Sequence, residues 1–342
     1  MTPRPPPPTR REALRTGAIV ALAAAMDLAL AGPPAALASP STADSRSLAS
    51  TGRILLRGGR LLHGTVLQSF AFDERDRHLY ALQLMQGGVR LDGERHARTQ
   101  AERARRGDLC LNRLSLDGTL TGAMYLLGFG HGGALGVQRP AGRDPVLWTE
   151  WDASPASGYG RGICRFPFID GAVLTSGSRC LTTWRPLPGS TSNAPALDPD
   201  SGLLLLRYKV AGEPRLRLVD LRCTAPGGLR PLADLPQPGA ALGLPFQGMA
   251  LHADHAYQLL GSAYGPANPV SSPGNIRLYR IHLPSGKVEQ QILDRTARNL
   301  VPREPEGLAV LASSDTGPLL CMGLTQGPVG DKSFSLYARP LG

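Results

Sequence analysis

Short apolar runs and polar turns alternate along this chain, and they come in sets that recur. Segments opening at Gln68-Ser69-Phe70, His131-Gly132-Gly133, Asn193-Ala194-Pro195, Gln247-Gly248-Met249 and Glu306-Gly307-Leu308 follow one another at intervals of 63, 62, 54 and 59 residues. In four of the five, a polar residue and a small one open an apolar stretch, a polar turn follows, and a second apolar run completes a hairpin. Ser69-Phe70-Ala71-Phe72-Asp73, a turn over 74–77 and Leu79-Tyr80-Ala81-Leu82 form one such unit. Ala196-Leu197-Asp198, a turn over 199–202 and the run 203–208 form another.

Further strand pairs are expected after the inner hairpins, turned at Asp117-Gly118, Asp170-Gly171 and Ser285-Gly286, because Asp-Gly and Ser-Gly supply the positive φ that tight hairpins need. Four strands per repeat, five repeats and no convincing long amphipathic helix predict an all-β fold, a five-bladed β-propeller. The fifth repeat ends with the run 333–339, one strand short, while the segment 52–62 precedes the first inner strand and has no blade of its own. The N-terminal segment is therefore expected to complete the last blade and close the ring. Two packed β-sandwiches would not explain the regular spacing.

The N-terminus reads as an address rather than as structure. Arg10-Arg11, Leu14 and Arg15 precede an apolar run from Ala18 to Ala31 and a small-residue site at Ala36-Leu37-Ala38. Residues 1–38 are expected to be a signal peptide, of twin-arginine type or of the general secretory type, and either route leaves the cytoplasm. Asp27 interrupts the run, which falls short of the roughly 20 residues of a spanning helix, and no cysteine follows the cleavage site to take lipid. Residues 39–50 read as a flexible leader and residues 51–342 as one propeller domain. The expectation is a secreted protein without a membrane span, associated with the cell wall and monomeric.

The formal charge of +10 suits an anionic partner. Much of the excess lies in Arg90, Arg95, Arg98, Arg103, Arg105 and Arg106, an insertion that either steers polyanions or forms a solvated loop. Interleaved aromatic and basic residues along a strand face are lacking, so no nucleic-acid partner is expected. Five cysteines without C-x-x-C spacing rule out a thiolate zinc site, and neither a metal nor a cofactor is expected. Cys164 and Cys180 are the candidates for a disulfide; Cys110 and Cys321 have the apolar flanks of buried thiols.

In a propeller the inner strands begin around one mouth of a central channel, so Gln68, His131, Asn193, Gln247 and Glu306 should form a ring. Such a set can hydrogen-bond sugar hydroxyls or phosphate oxygens, or it can hold backbone groups and water. Gly128-Phe129-Gly130-His131-Gly132-Gly133 permits close backbone approach around one titratable group. Arg303, Glu304 and Glu306 can clamp a polar ligand or pair internally. Trp148 and Glu150 add an indole for stacking and a carboxylate, with packing between blades as the other use of the indole.

Gln68-Ser69-Phe70-Ala71-Phe72-Asp73, Leu84-Met85-Gln86-Gly87-Gly88, Gly107-Asp108-Leu109-Cys110, Gly128-Phe129-Gly130-His131-Gly132, Leu147-Trp148-Thr149-Glu150, Arg207-Tyr208-Lys209-Val210 and Arg303-Glu304-Pro305-Glu306-Gly307 together resemble the TagC-like propeller family. That family joins exported actinobacterial proteins labelled teichoic acid biosynthesis protein C with receptor-binding propellers of staphylococcal phages. The resemblance implies a five-bladed propeller that recognises wall teichoic acid or a related cell-surface glycopolymer without catalysis. The alternative is an extracellular hydrolase or lyase on such a polymer, with His131 and Glu304 or Glu306 as acid and base. Neither a Gly-x-Ser-x-Gly elbow nor a His-Glu-x-x-His motif is present to strengthen that alternative.

Overall fold

The computed structural model describes residues 48–198, 201–223 and 229–341. The expected signal peptide, and the leader up to residue 47, lie outside the described residues.

Strand β1 (Arg53–Gly59) comes first in the chain and last in the ring. Blade one contains β2 (Leu67–Asp73), β3 (His78–Leu84), β4 (Leu109–Ser115) and β5 (Leu120–Leu127). Blade two is thinner, with β6 (Gly136–Gln138), β7 (Val146–Ala153), β8 (Gly160–Pro167), the short β9 (Val173–Thr175) nearby and β10 (Thr182–Trp184) at its edge. Blade three runs through β11 (Thr191–Asp198), β12 (Leu203–Val210), β13 (Glu213–Asp220) and β14 (Pro231–Pro236). Blade four follows with β15 (Phe246–His252), β16 (His255–Leu260), β17 (Arg277–His282) and β18 (Lys287–Leu293). Blade five has β19 (Glu304–Leu311), β20 (Leu319–Gln326) and β21 (Ser333–Pro340), and β1 pairs antiparallel with β21, Arg53 opposite Ala338. The ring is closed by both ends of the domain, as the repeat pattern predicts.

Burial explains why inner and middle strands read as unbroken apolar runs. Each blade is covered on both faces by its neighbours, so alternate residues of one strand enter different cores. On β3, Tyr80 and Leu82 pack with Leu147 and Phe166 of blade two, while Leu79 and Ala81 pack with Cys321, Phe334 and Leu336 of blade five. Three further apolar layers fill the remaining interfaces. Outer strands lack this cover, and β18 is polar and exposed along most of its length.

At the axis the five inner strands nearly touch. Gly307 has φ +81°, and a Cβ there would lie 2.7 Å from Phe70 Cδ1 and 3.0 Å from Ser69 Cα. A Cβ on Gly248 would lie 2.8 Å from the Leu308 nitrogen, and Ser69 Oγ donates to the Gly132 carbonyl at 2.7 Å. The small second residue of each repeat is thus a steric requirement of the ring.

Four local expectations are corrected. Residues 172–175 do not return as a hairpin partner of β8: Asp170 Oδ1 accepts the Ala123 N–H at 2.8 Å, Gly171 donates to the Ala123 carbonyl, and β9 runs parallel to β5 of blade one. The edge of blade two is β10 instead. The end of the expected leader is docked: Leu48 is fully buried, its N–H donates to Gln290 Oε1 at 2.6 Å, and its carbonyl accepts from Arg339 at 2.9 Å. The arginine-rich insertion folds on itself through helix α1 (Gln100–Arg106), capped by Thr99 and Glu102 in a capping box. Buried Arg103 reaches Glu94 at 2.6 Å and Asp108 at 3.0 Å, and its hydrogen bond draws the Glu94 carboxyl down to about 2. Cys164 and Cys180 are free thiols, because Cys164 points into the blade core while Cys180 lies exposed beyond the strand.

Replacing Gly307 with alanine combines a left-handed backbone with a backbone-and-ring clash, and should cost about 2–5 kcal/mol of unfolding free energy. Gly171, also at positive φ but with open space around it, should cost only about 1 kcal/mol on the same substitution. Denaturant melts of both variants check the comparison; equal losses would refute the steric account of the repeat.

Candidate functional site

Four inner strands open with a register break at the repeated position: between Leu67 and Ser69, Thr191 and Ala194, Phe246 and Gly248, and Pro305 and Leu308. A β-bulge of this kind turns the extra residue out of the ladder and re-aims its side chain. Gln68, Gln247 and Glu306 are turned in this way into a central pocket of about 790 Å³. Deeper along the axis, the channel narrows to about 40 Å³ between Ala71, Val137, Ala196 and Ala250. The site is a cup on the axis of the ring.

In blade two the Gly-rich loop replaces the bulge. Buried Glu150 accepts from the backbone of His131 and Gly133 at 3.1 Å each and of Gly160 at 2.8 Å. The loop wraps the carboxylate so closely that a Cβ on Gly130 would lie 2.3 Å from Glu150 Oε2. This cradle presents the His131 ring to the pocket, stacked on Tyr159 with centroids 4.6 Å apart. Burial lowers the His131 pKa and raises that of Glu150 against the pull of the three N–H donors.

Two cations that entered the sequence reading only inside a family motif lie in the same cup. Arg207 and Lys209, on β12, follow the unbroken leucines 203–206, and their spacing of two puts both on the pocket side with Tyr208 turned to the core. Arg207 is 6% exposed, donates from Nε to Gln237 Oε1 at 2.9 Å and lies 4.8 Å from the ring centroid of Phe246. Burial draws its pKa down to about 10, and Lys209 is lowered by burial and by Arg207. Among the described residues neither cation has an ion-pair partner. A charged pair breaking the apolar run of a second strand was the signal available in the sequence.

Blade five supplies the opposite charge. Glu304 and Glu306 both line the pocket, and Glu306 is only 5% exposed. Burial raises both carboxyls above the ordinary glutamate value, Glu306 well above it, with Glu304 adding repulsion. Among the described residues, neither is in an ion pair and neither hydrogen-bonds the His131 ring.

Three other candidates lie elsewhere. Asn193 is fully buried and holds its neighbours, donating to the Gly160 carbonyl at 3.1 Å and accepting from Ser190. Thr191, Ser192 and Ala194 face the pocket in its place. Arg303 is buried at the seam of blades four and five, bonded to the Thr296 carbonyl at 2.9 Å and to Asp294, because its guanidinium offers donors that the closing seam lacks. Trp148 packs between blades two and three, stacked on Trp184 at 4.8 Å with its Nε1 donating to Gln138.

Cations, carboxyls, amides and two aromatic faces around one open cup define a binding propeller. The chain belongs to the family described as the phage 5-bladed beta propeller receptor binding platform domain, which matches residues 66–338. It is 27% identical over 290 residues to a Bacillus subtilis (strain 168) protein named "Putative major teichoic acid biosynthesis protein C", covering 82% of this chain and 60% of that one. Its fold is similar to that of the tail fiber of Staphylococcus aureus phage P68, with a TM-score of 0.63 at 18% identity over 84% of this chain and 52% of the fiber. The chain thus spans somewhat over half the length of both relatives. Family membership supports a binding role in general terms.

The raised carboxyls give a stability prediction with a definite sign. A carboxyl whose folded pKa lies above its unfolded value contributes stability in full below the unfolded pKa, and loses it as pH rises through the folded pKa. A Glu304→Gln/Glu306→Gln protein should therefore melt at higher temperature than the parent at neutral pH, with the gain vanishing below about pH 4. Melting curves across that range check it; a variant less stable at neutral pH would contradict it.

Proposed function

We propose that the protein is exported and binds an anionic, phosphate-linked cell-surface glycopolymer, such as wall teichoic acid, in the central cup, as a non-catalytic receptor. The observation that carries this reading is buried Arg207 with half-buried Lys209 beside it in an open pocket, neither in an ion pair. Glu150 attracts Arg207 electrostatically but is already held by three backbone N–H groups. A desolvated cation outside any ion pair is costly to keep, and a phosphodiester supplies charge together with acceptors for the guanidinium fork. Gln68, Gln237, Gln247 and the carboxyls meet hydroxyls, while Tyr159 and Phe246 offer faces to a sugar or glycerol backbone.

Family membership and the teichoic-acid name of the Bacillus subtilis relative support the same class of ligand. Export rests on the arginine-led N-terminal segment, and among the described residues no helix is long and apolar enough to cross a membrane.

Calorimetric titration with poly(glycerol phosphate) tests the reading. Arg207→Gln should weaken binding at least about tenfold, since a buried charge contact is removed, whereas Arg90→Gln, in the insertion, should change it less than about twofold. Binding should fall steeply with added salt, and uncharged dextran should not compete. Equal affinity of the parent and Arg207→Gln would contradict the assignment.

A further inference from the structure

The cup separates its charges. Arg207 and Lys209 stand on blade three, Glu304 and Glu306 on blade five, and no blade boundary is shared by the two pairs. Among the described residues none of the four is in an ion pair. Arg207 and Glu306 are both more than nine-tenths buried and both open onto the same cavity. A site shaped only for a polyanion would have no use for two carboxyls held on one wall, because each repels phosphate when ionised.

We propose that the cup takes a zwitterionic unit: a phosphodiester at Arg207 and Lys209, joined through a short polyol or alkyl spacer to a primary ammonium at Glu304 and Glu306. This deepens the reading of the cup as a phosphate-polymer site and rests on it. An ammonium carries three donors and no acceptor, which matches two carboxylates without competing donors. The nearest other charged or titratable groups are placed accordingly. Glu150, on blade two, attracts Arg207 from under the glycine loop, where three backbone N–H groups hold it. Lys332 acts on Glu304 from beyond β20, while Tyr159 and His131 stand on the blade-two side and are neutral at neutral pH. A bound ammonium favours the ionised form of both carboxyls, against the burial that raises them when the site is free.

Two probes separate the ammonium from the phosphate. Glycerophosphoethanolamine and glycerophosphoglycerol share a singly charged phosphodiester and differ in one arm, an ammonioethyl group against an uncharged dihydroxypropyl group. The protein should bind the ethanolamine diester about tenfold more tightly at neutral pH. Glu304→Gln/Glu306→Gln, shown folded by its melt, should remove that preference while retaining the glycerol diester. Arg207→Gln should weaken both. Equal affinity for the two diesters, or a preference for glycerol, would overturn the ammonium subsite and leave the phosphate reading standing. No binding of either diester, nor of poly(glycerol phosphate), would overturn both.

Discussion

Everything in this molecule depends on how closely five inner strands can approach one axis. Gly307 lies against Phe70 and Ser69, Gly248 against Gly307 and Leu308, and Ser69 bonds across to Gly132. Larger residues there would force the blades apart and open the apolar layers between them. The same crowding breaks the strand ladders at their starts, and each break turns a polar side chain toward the channel. Ring closure and the binding cup are two results of one steric constraint. Their common origin explains why a polar residue followed by a small one recurs with the period of the blades.

The cup is built against stability. Arg207, Lys209, Glu304 and Glu306 have lost water without gaining an ion-pair partner, whereas charges in the seams are matched. Asp294 holds both Arg303 and Arg339 where the two ends of the domain meet, and Arg139 ties blade two to Asp73 of blade one. Elsewhere Glu74 accepts the Ala312 and Ser313 N–H groups of blade five at 2.6 Å each. These charges fasten blades in ion pairs, whereas the four around the central cavity are in none. Such a local breach of charge pairing is what a binding site requires.

The architecture was legible because it is periodic. Five openings, the outer hairpins at Asp117-Gly118 and Ser285-Gly286, and an orphan N-terminal strand beside an incomplete last blade specify the ring without any side-chain geometry. Local competition decided the rest. Asp170-Gly171 has the residues of a hairpin but finds a free strand edge at Ala123, and the seven residues of α1 are set by their caps and the burial of Arg103. The site was legible in part: the bulges deliver Gln68, Gln247 and Glu306, and Glu150 lies under the glycine loop. Position within a repeat does not fix direction, however. Asn193 turns to Gly160 of blade two, Arg303 to the seam and Trp148 to the core, while Arg207 and Lys209 reach the cup from the second strand of blade three, outside the ring of strand openings.

The central claim is that phosphate is held on the blade-three wall of the cup. Its most direct test is a crystal structure of the protein with a glycerol-phosphate oligomer, read from the anomalous or difference density of phosphorus. The account predicts a phosphorus within hydrogen-bonding reach of the Arg207 guanidinium and Lys209, with the chain running over Tyr159 and Phe246. Phosphate ordered only on the outer arginines of the insertion, with the cup holding solvent, would contradict it.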